Sequence, residues 1–442
     1  MKRYASYKAS GVEWLGELPE HWTKKRLRDC IEGCASGVWG DEPDRGEDDI
    51  PVIRVADFDR ERRQVVEYET HRKVDASQRQ SRALNPGDLL IEKSGGGEQQ
   101  PVGMVVSYLG PAGAVCSNFV ARMPPRSGVI SRFMVYLHAY LYASRVTGIS
   151  IKQTTGIQNL DATAYLSQAC FLPPPDEQQA IADYLDAETA RIDTLIQEKE
   201  GLIGLLREWR QSVISEYTSG ANQPQDKKAT SNVHMPRIPS SWAMVRLGKY
   251  ARIGNGSTPL KDNANYWEQG DFPWLNSAVV NQDEVWEGSE YVTPVALQAC
   301  HLPIVEPGAL LVALTGQGKT RGQVAVLRIH ATINQHLAYL ALDSEHFDSG
   351  YVFWTLTGMY AGLRMVSDGQ GGTKGALTCE DLSRFQVPMP LLAEQREIAA
   401  ALVAEVAKID TLITHTQEAI ALLKELRAAT IADAVLGRVD VR

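Results

Sequence analysis

The chain has 442 residues, 44% hydrophobic and 22% charged, with 45 Lys and Arg against 54 Asp and Glu for a formal net charge of -9. That length allows two to four domains, each able to bury an ordinary core, and the composition is that of a soluble globular protein, which excludes fibrous and disordered classes. The acidic balance argues against a uniformly basic nucleic-acid-binding surface, so the distribution of charge along the chain decides that point.

Met1-Lys-Arg-Tyr is followed by polar and charged residues instead of an apolar core, so no secretory signal is visible and a cytoplasmic location is expected. The longest apolar runs, such as Ala309 to Leu314, fall far short of the ~20 residues that span a bilayer. Six cysteines are scattered (Cys30, Cys34, Cys116, Cys170, Cys300, Cys379), and only the first two are close. With no second pair at zinc-ligand spacing, they read as reduced thiols and no metal is expected.

In chain order, Leu18-Pro19, Trp22 and Arg26-Leu27 come first, and then Ile50 to Ala56 and Asn85 to Leu90 read as turn followed by strand. Bases cluster at Arg60-Glu61-Arg62-Arg63, at Arg72-Lys73, and at Arg79 with Arg82. A glycine-bearing loop, Glu92 to Gln100, follows the run Leu89-Leu90-Ile91, a helical stretch lies around Phe133 to Tyr142, and a second such loop is Lys152 to Gly156. This first region is therefore a mixed α/β domain with many short strands.

From Ile181 the apolar residues recur at Leu185, Ile192, Leu195, Ile196, Leu202, Leu206, Trp209, Val213 and Tyr217, which is helical spacing with a seam on one side. Pro173 to Pro175 lie just upstream and Gly220 sits where a C-terminal cap belongs. Unbroken from Asp176 to Tyr217, the helix would span roughly 60 Å. Gly201 and Gly204, each costing roughly 1 kcal/mol against Ala, are expected to mark a kink or a close helix crossing.

The stretch Asn222 to Val233 reads as a polar linker, after which the landmarks return. Ile238-Pro239, Trp242 and Arg246-Leu247 repeat the opening, Phe272 to Ala278 matches Ile50 to Ala56, and Glu306 to Leu311 matches Asn85 to Leu90. The loops return as Thr315 to Gly322 and Gly369 to Gly375, and a helical stretch covers Tyr351 to Leu363. Finally the long segment itself recurs, Glu177 to Gly220 reappearing as Glu394 to Gly437 at a shift of 217 places. That period is far longer than a solenoid unit. The chain is a duplicated pair, with expected boundaries at 1–170, 171–220, 221–385 and 386–442, and the two long helices are expected to pair as a coiled-coil-like spacer.

Partitioned by these boundaries, residues 171–220 carry 4 basic and 10 acidic groups and residues 386–442 carry 6 and 8. The repeated helices thus hold eight of the nine net negative charges, which suits a face toward protein and leaves nucleic acid to the near-neutral domains. Ala313 to Thr320 (A-L-T-G-Q-G-K-T) passes as a relaxed P-loop, but the following Gln323 to Ile329 alternates like a strand where that motif needs a helix N-terminus. No nucleophile elbow, HExxH or methyltransferase signature occurs, and the nine His are dispersed, so the chain itself is expected to be non-catalytic.

The order I-P-V-I-R-V-A-D (Ile50 to Asp57), N-P-G-D-L-L (Asn85 to Leu90), then P-P-P-D-E-Q-Q-A-I running into a helix with I-D-T-L-I, and the whole repeated, resembles the specificity subunit of type I restriction-modification systems. The resemblance covers essentially the full chain. It implies an α+β fold of two mixed α/β target recognition domains, each reading half of a bipartite double-stranded DNA target, separated by a pair of long antiparallel helices. It further implies two modification (methyltransferase) subunits docked on the helices and restriction (translocase/endonuclease) subunits beyond them. S-adenosylmethionine, ATP and magnesium are then expected in those partners and not in this chain. Two departures, Arg54 against Asn276 and Asp57 against Val279, suggest different chemistry in the two halves.

On residue type and loop position, the candidates for DNA contact are Arg54, Arg62, Arg63, Lys93, Lys152, Gln153, Asn276, Lys319, Arg321, Gln370 and Lys374. The candidates for partner contact on the helices are Ile181, Leu185, Ile192, Leu195, Ile398, Leu402, Ile409 and Leu412. Two other classes remain open on the residues alone: a nucleotide-binding enzyme using the Ala313 to Thr320 loop, and a scaffold whose α/β domains bind protein.

Overall fold

The structure, a computed structural model, describes residues 2–12, 15–154, 156–316, 318–368 and 375–442, with only the backbone of Thr154 and Asp368. The chain forms two compact units, residues 1–199 with 418–442 and residues 200–417. Their boundaries fall inside the long helices.

In the first unit, buried apolar runs form the central sheet. Its strands are β1 (Ala35–Ser36), β2 (Asp49–Ile53), β3 (Gln64–Val65), β4 (His71–Lys73), β5 (Leu89–Glu92), β6 (Val105–Tyr108), β7 (Val115–Cys116) and β8 (Val120–Met123). They assemble as a five-stranded sheet of order β1-β8-β5-β6-β3 and a three-stranded sheet of order β7-β2-β4. Both β5 and β6 are buried along their whole length, as continuous apolar runs between two covered faces should be. Helix α1 (Ser131–Ala143) packs into the same core, with Phe133, Met134 and Leu137 among Leu89, Ile91 and Val105.

The second unit repeats this with β9 (Ala251–Asn255), β10 (Phe272–Leu275), β11 (Glu284–Val285), β12 (Glu290–Val292), β13 (Leu310–Ala313), β14 (Val324–Leu327), β15 (Thr332–Ile333) and β16 (Leu337–Leu342). The orders are β9-β16-β13-β14-β11 and β12-β10-β15, the same two sheets strand for strand. Register agrees too: Val120 faces Glu92 across β8 and β5, and Leu337, its counterpart at the 217 shift, faces Ala313 across β16 and β13. Gly37 and Gly256 are required by close approach, since a Cβ would lie 1.9 Å from the Cys116 carbonyl oxygen and 1.7 Å from that of Ile333.

The strand β14 follows the Lys319-Thr320 loop directly, antiparallel to β13. No helix begins at the Lys-Thr pair, so the P-loop likeness has no phosphate-cradling N-terminus behind it. Asn222 to Val233 is not a plain linker, because Lys227–Ala229 pairs antiparallel with Arg237–Pro239, as Tyr7–Ala9 pairs with Glu17–Pro19.

The repeated segments are continuous helices, α2 (Pro175–Thr218) and α5 (Leu392–Val435), each 44 residues and about 66 Å long. Pro175 stands at the first position of α2, where its missing N–H costs nothing. A Cβ on Gly201 or Gly204 would meet nothing within 4 Å, so these glycines do not mark a close helix crossing. In the first unit Ile181 and Leu185 share a core with Ile431, Ala434 and Val435, and further along Asp193 Oδ1 accepts from Arg427 Nε at 2.8 Å. In the second unit Ile214 shares a core with Ile398 and Leu402, and Asp410 Oδ1 accepts from Arg210 Nε at 2.9 Å. Within each unit, then, one helix's opening turns run antiparallel to the other's closing turns. Asp193 and Asp410 are repeat counterparts, as are Arg210 and Arg427, so a single pair is made twice with its partners exchanged.

Each helix is locked to a domain by the Glu-Gln pair in its first turn. Glu177 accepts from Trp22 Nε1 at 3.0 Å and contacts His21 Nε2 at 2.7 Å, while Gln178 accepts from the Ile130 amide at 2.9 Å and donates to the Pro173 carbonyl at 2.9 Å. Glu394 accepts from Trp242 Nε1 at 3.1 Å, and Gln395 accepts from the Asp348 amide and donates to the Pro390 carbonyl, at 2.9 and 3.0 Å. Burial alone would raise the Glu177 carboxyl, but the bonds from His21 and Trp22 outweigh it and hold it below the ordinary glutamate value. The capping glycines close the arrangement: Gly437 packs on Pro19 and Trp22, Gly220 on Pro239 and Trp242, both in the left-handed region (φ +67 and +65).

Candidate nucleic-acid interface

In the first unit several strand ends and loops converge on one opening. The end of β2 delivers Arg54, the end of β5 delivers Glu92, the β7–β8 turn delivers Asn118 and Phe119, and the glycine-bearing loop Ser94–Gln100 closes the side. Together with Trp39 and Arg60 they line an open cavity of about 1060 Å³. The framework beneath is fixed by main-chain bonds, Lys93 N to Phe119 O at 2.7 Å and Ser117 N to Ile53 O at 2.8 Å. In the second unit the same bonds run from Leu314 N to His336 O and from Asn334 N to Leu275 O, both 2.9 Å.

On that shared framework the chemistry diverges. Glu92 is 2% exposed and pairs with Arg60, its Oε2 at 3.5 Å from Nη2; burial raises its carboxyl while the arginine works to lower it. The matching strand end is Ala313, and Phe119 is matched by His336, whose Nδ1 lies 2.9 Å from Thr315 Oγ1. The matching positions of the two units therefore carry an ion pair in one and neutral donors and acceptors in the other.

Arg54 lines the cavity and is tied to Asp57 at 3.0 Å, whereas Asn276 caps the Ala278 amide at 2.9 Å, so the two departures noted above are one change of cap. Arg62 is exposed beside the same loop, and Lys93 donates to Ser36 Oγ at 2.5 Å. Lys152 and Gln153 lie on an exposed strand at a separate edge, with Lys152 bound to Asp161 at 2.7 Å. Lys319 is exposed at its loop tip, its carbonyl accepting from Tyr360 Oη at 2.8 Å.

Two candidates are turned inward. Arg63 has Nε and Nη1 out of solvent, and burial beside Arg427 pushes its pKa down to about 10; Arg321 is 6% exposed and donates to the Gly375 carbonyl. Gln370 and Lys374 lie outside the described residues. Arg60 and Glu92 were not singled out by residue type, because one stands among four charged neighbours and the other ends an apolar strand.

The helix candidates need correcting in the same way. Ile181, Leu185, Ile192, Ile398, Leu402 and Ile409 are buried in the chain's own cores, Leu195 is half-buried, and only Leu412 is exposed. The helices leave Leu202, Leu205 and Trp209 exposed on one and Val403, Leu412, Leu422 and Leu426 on the other, and of these Leu205 with Trp209 and Leu422 with Leu426 are repeat counterparts. Among the described residues there is no cluster of His, Cys, Asp and Glu fit to hold a metal, and no helix is long and apolar enough to cross a membrane. His138, buried against Tyr165 Oη at 2.6 Å, is pushed down to about 3 by burial and packs as a neutral core residue.

Residues 239–422 match a family described as "Type I restriction modification DNA specificity domain". The chain is similar to the putative type I restriction enzyme MjaX specificity subunit of Methanocaldococcus jannaschii, 23% identical over 404 residues, 90% of this chain and 89% of that one. It is also similar to the type I restriction enzyme EcoDI specificity subunit of Escherichia coli, 26% identical over 298 residues, 61% and 62% of the two chains. Among solved structures it shares its fold with a chain from a study of complex assembly and conformational transition of the type I R-M system, with TM-score 0.73, 19% identity and coverage of 95% and 98%. The HsdS subunit from Thermoanaerobacter tengcongensis gives TM-score 0.58 at 18% identity, covering 98% and 100%.

Proposed function

We propose that the chain is a type I restriction-modification specificity subunit, the DNA-reading, non-catalytic component of such a complex, a reading supported by the specificity-domain match over residues 239–422 and by relatives that span up to 90% of the chain. Each domain reads one half of a bipartite double-stranded target at its loop-lined opening, and the two long helices set the separation of the halves and carry the modification subunits. The observation that carries this reading is the pairing of a shared framework with divergent side chains: the same sheets, register and main-chain bonds support Arg60, Glu92 and Phe119 at the first unit's opening and Ala313, Thr315 and His336 around the matching positions of the second. Two readers on one scaffold with different lining are what two different half-sites require.

Methylation of adenine with S-adenosylmethionine, and ATP- and magnesium-dependent cleavage, then fall to the modification and restriction partners. The exposed pairs Leu205–Trp209 and Leu422–Leu426, one on each helix, are the docking positions for two modification subunits. The residue divisions 1–170 and 221–385 mark the two readers. Methylome sequencing of a host with and without this gene tests the assignment: a split adenine-methylated motif appears only with the gene, and the purified assembly binds its duplex with affinity that falls steeply with salt. A methylome unchanged by the gene, in a host that supplies the modification subunits, refutes it.

A further inference from the structure

A buried ion pair that only one copy of a duplicated framework possesses is not required by that framework. Glu92 and Ala313 occupy one position in register, each facing the counterpart residue Val120 or Leu337, and the surrounding bonds are the same in both units. Burying a carboxylate with an arginine is in general no more stabilising than packing apolar groups there. The Glu92 side chain is 2% exposed, and its Oε2 has no hydrogen-bond partner beyond the 3.5 Å approach of Arg60. The pair therefore serves the cavity that it lines.

We propose that Arg60 reads a guanine in the half-site taken by the first domain, and that Glu92 is the residue that positions it. This rests on the DNA-reading role above. Arg60 is held at two points, by Glu92 and by a 3.6 Å contact of Nη1 with Met104 Sδ, and its side chain remains 30% exposed at the cavity wall. Sulfur is a weak acceptor and the carboxylate is distant, so neither contact satisfies a fork of five donors. A planar guanidinium pinned from behind presents its donors in the geometry that matches O6 and N7 of guanine.

Charge separates this from a backbone contact. An arginine meant for phosphate gains nothing from a carboxylate 3.5 Å away, which repels the incoming anion. A base edge carries no net charge and tolerates it. Phe119 and Trp39, 48% and 38% exposed on the cavity rim, offer apolar contact of the kind that a thymine methyl in the groove accepts and a phosphate does not, although Arg72 already lies 4.9 Å over the Trp39 ring.

The test is selection from a randomised duplex library by the chain assembled with its modification subunits, followed by binding of the selected duplex with 7-deazaguanine, which lacks N7, at single positions. For the unmodified chain, 7-deazaguanine at one position of one half-site weakens binding by about ten-fold, within the range of a bidentate arginine contact. With Arg60→Gln, that one position loses its guanine preference and its sensitivity to 7-deazaguanine, whereas Arg60→Lys, which still donates to O6 and N7, keeps part of both, and with either variant the other half-site is recovered unchanged and reports intact folding. Glu92→Gln weakens preference at the same position only. If the Arg60 variants instead weaken every duplex by one factor with a shallower salt slope, or leave the selected motif unaltered, the guanine assignment is overturned and DNA reading stands. If the unmodified assembly selects no motif, the underlying reading falls with it.

Discussion

Replacing Glu177 by Ala removes the acceptor that fastens α2 to the first domain. Trp22 Nε1 at 3.0 Å, His21 Nε2 at 2.7 Å and Arg442 Nη1 at 3.6 Å converge on this carboxylate, with the Tyr4 hydroxyl beside them. The tryptophan is 1% exposed and cannot turn to water, so its N–H is stranded at a cost of about 1–3 kcal/mol. His21 and Arg442 keep 43% and 49% of their side chains in solvent and rehydrate, adding less than about 1 kcal/mol each. A loss of roughly 2–4 kcal/mol follows, which for a urea slope of about 2–3 kcal/mol/M moves the midpoint of the affected transition by about 1 M. Urea titration of the full chain at pH 7, followed by tryptophan emission and circular dichroism, measures it. The Trp22→Phe and Glu177→Ala effects should fall short of additive by about 1 kcal/mol or more. A Glu177→Ala shift below about 0.5 kcal/mol, or full additivity with Trp22→Phe, refutes the idea that this bond network fastens helix to domain.

The same carboxyl gives a pH signature. Its folded pKa is depressed, so its contribution is fully present above the unfolded glutamate value and is lost as pH falls from there through the folded pKa. His138, pushed down to about 3 by burial, also binds its proton more readily unfolded, so stability falls below the ordinary histidine value of about 6.5 as well. Glu177→Gln should flatten the lower limb of the stability profile and leave the limb that begins near pH 6.5 unchanged.

Gly437→Val places a side chain within 2.4 Å of Pro19 at a backbone φ of +67, and should destabilise the first unit by about 2 kcal/mol or more, read as a lowered urea midpoint. Arg427 with Asp193 and Arg210 with Asp410 are one pair made twice; double-mutant cycles to Ala should give similar coupling of about 0.5–1 kcal/mol for each, since all four side chains keep partial solvent contact. Inserting one helical turn of four residues into both α2 and α5 should change the spacer of the methylated motif and neither half-site, as methylome sequencing reads; an unaltered spacer removes the measuring role of the helices.

The duplication, the strand-like landmarks and both long helices were legible because each rests on a local signal: period, Pro-Gly punctuation, or helical spacing. The Trp22–Glu177 and Trp242–Glu394 locks were visible as paired motifs, but their bonding was not, since the partners stand more than 150 positions apart. Helix-facing leucines and isoleucines were read as a surface for partners, whereas Ile181, Leu185 and Leu402 fill the chain's own cores. A hydrophobic seam does not declare which body covers it. Among the basic residues, type alone could not separate Arg63 and Arg321, which are turned inward, from Arg60, whose place at the cavity wall depends on a carboxylate 32 positions later.

Ala313, standing where the other copy has Glu92, shows that the rim of each opening is decoupled from the sheet beneath it. A residue can change there without any strand, register or main-chain bond changing with it. Selection acting on target preference can therefore change the rim while the sheets beneath keep their strands and register. Such a chain can drift to a new target while its partners continue to meet an unaltered body, so novelty in recognition need not wait for compensation elsewhere.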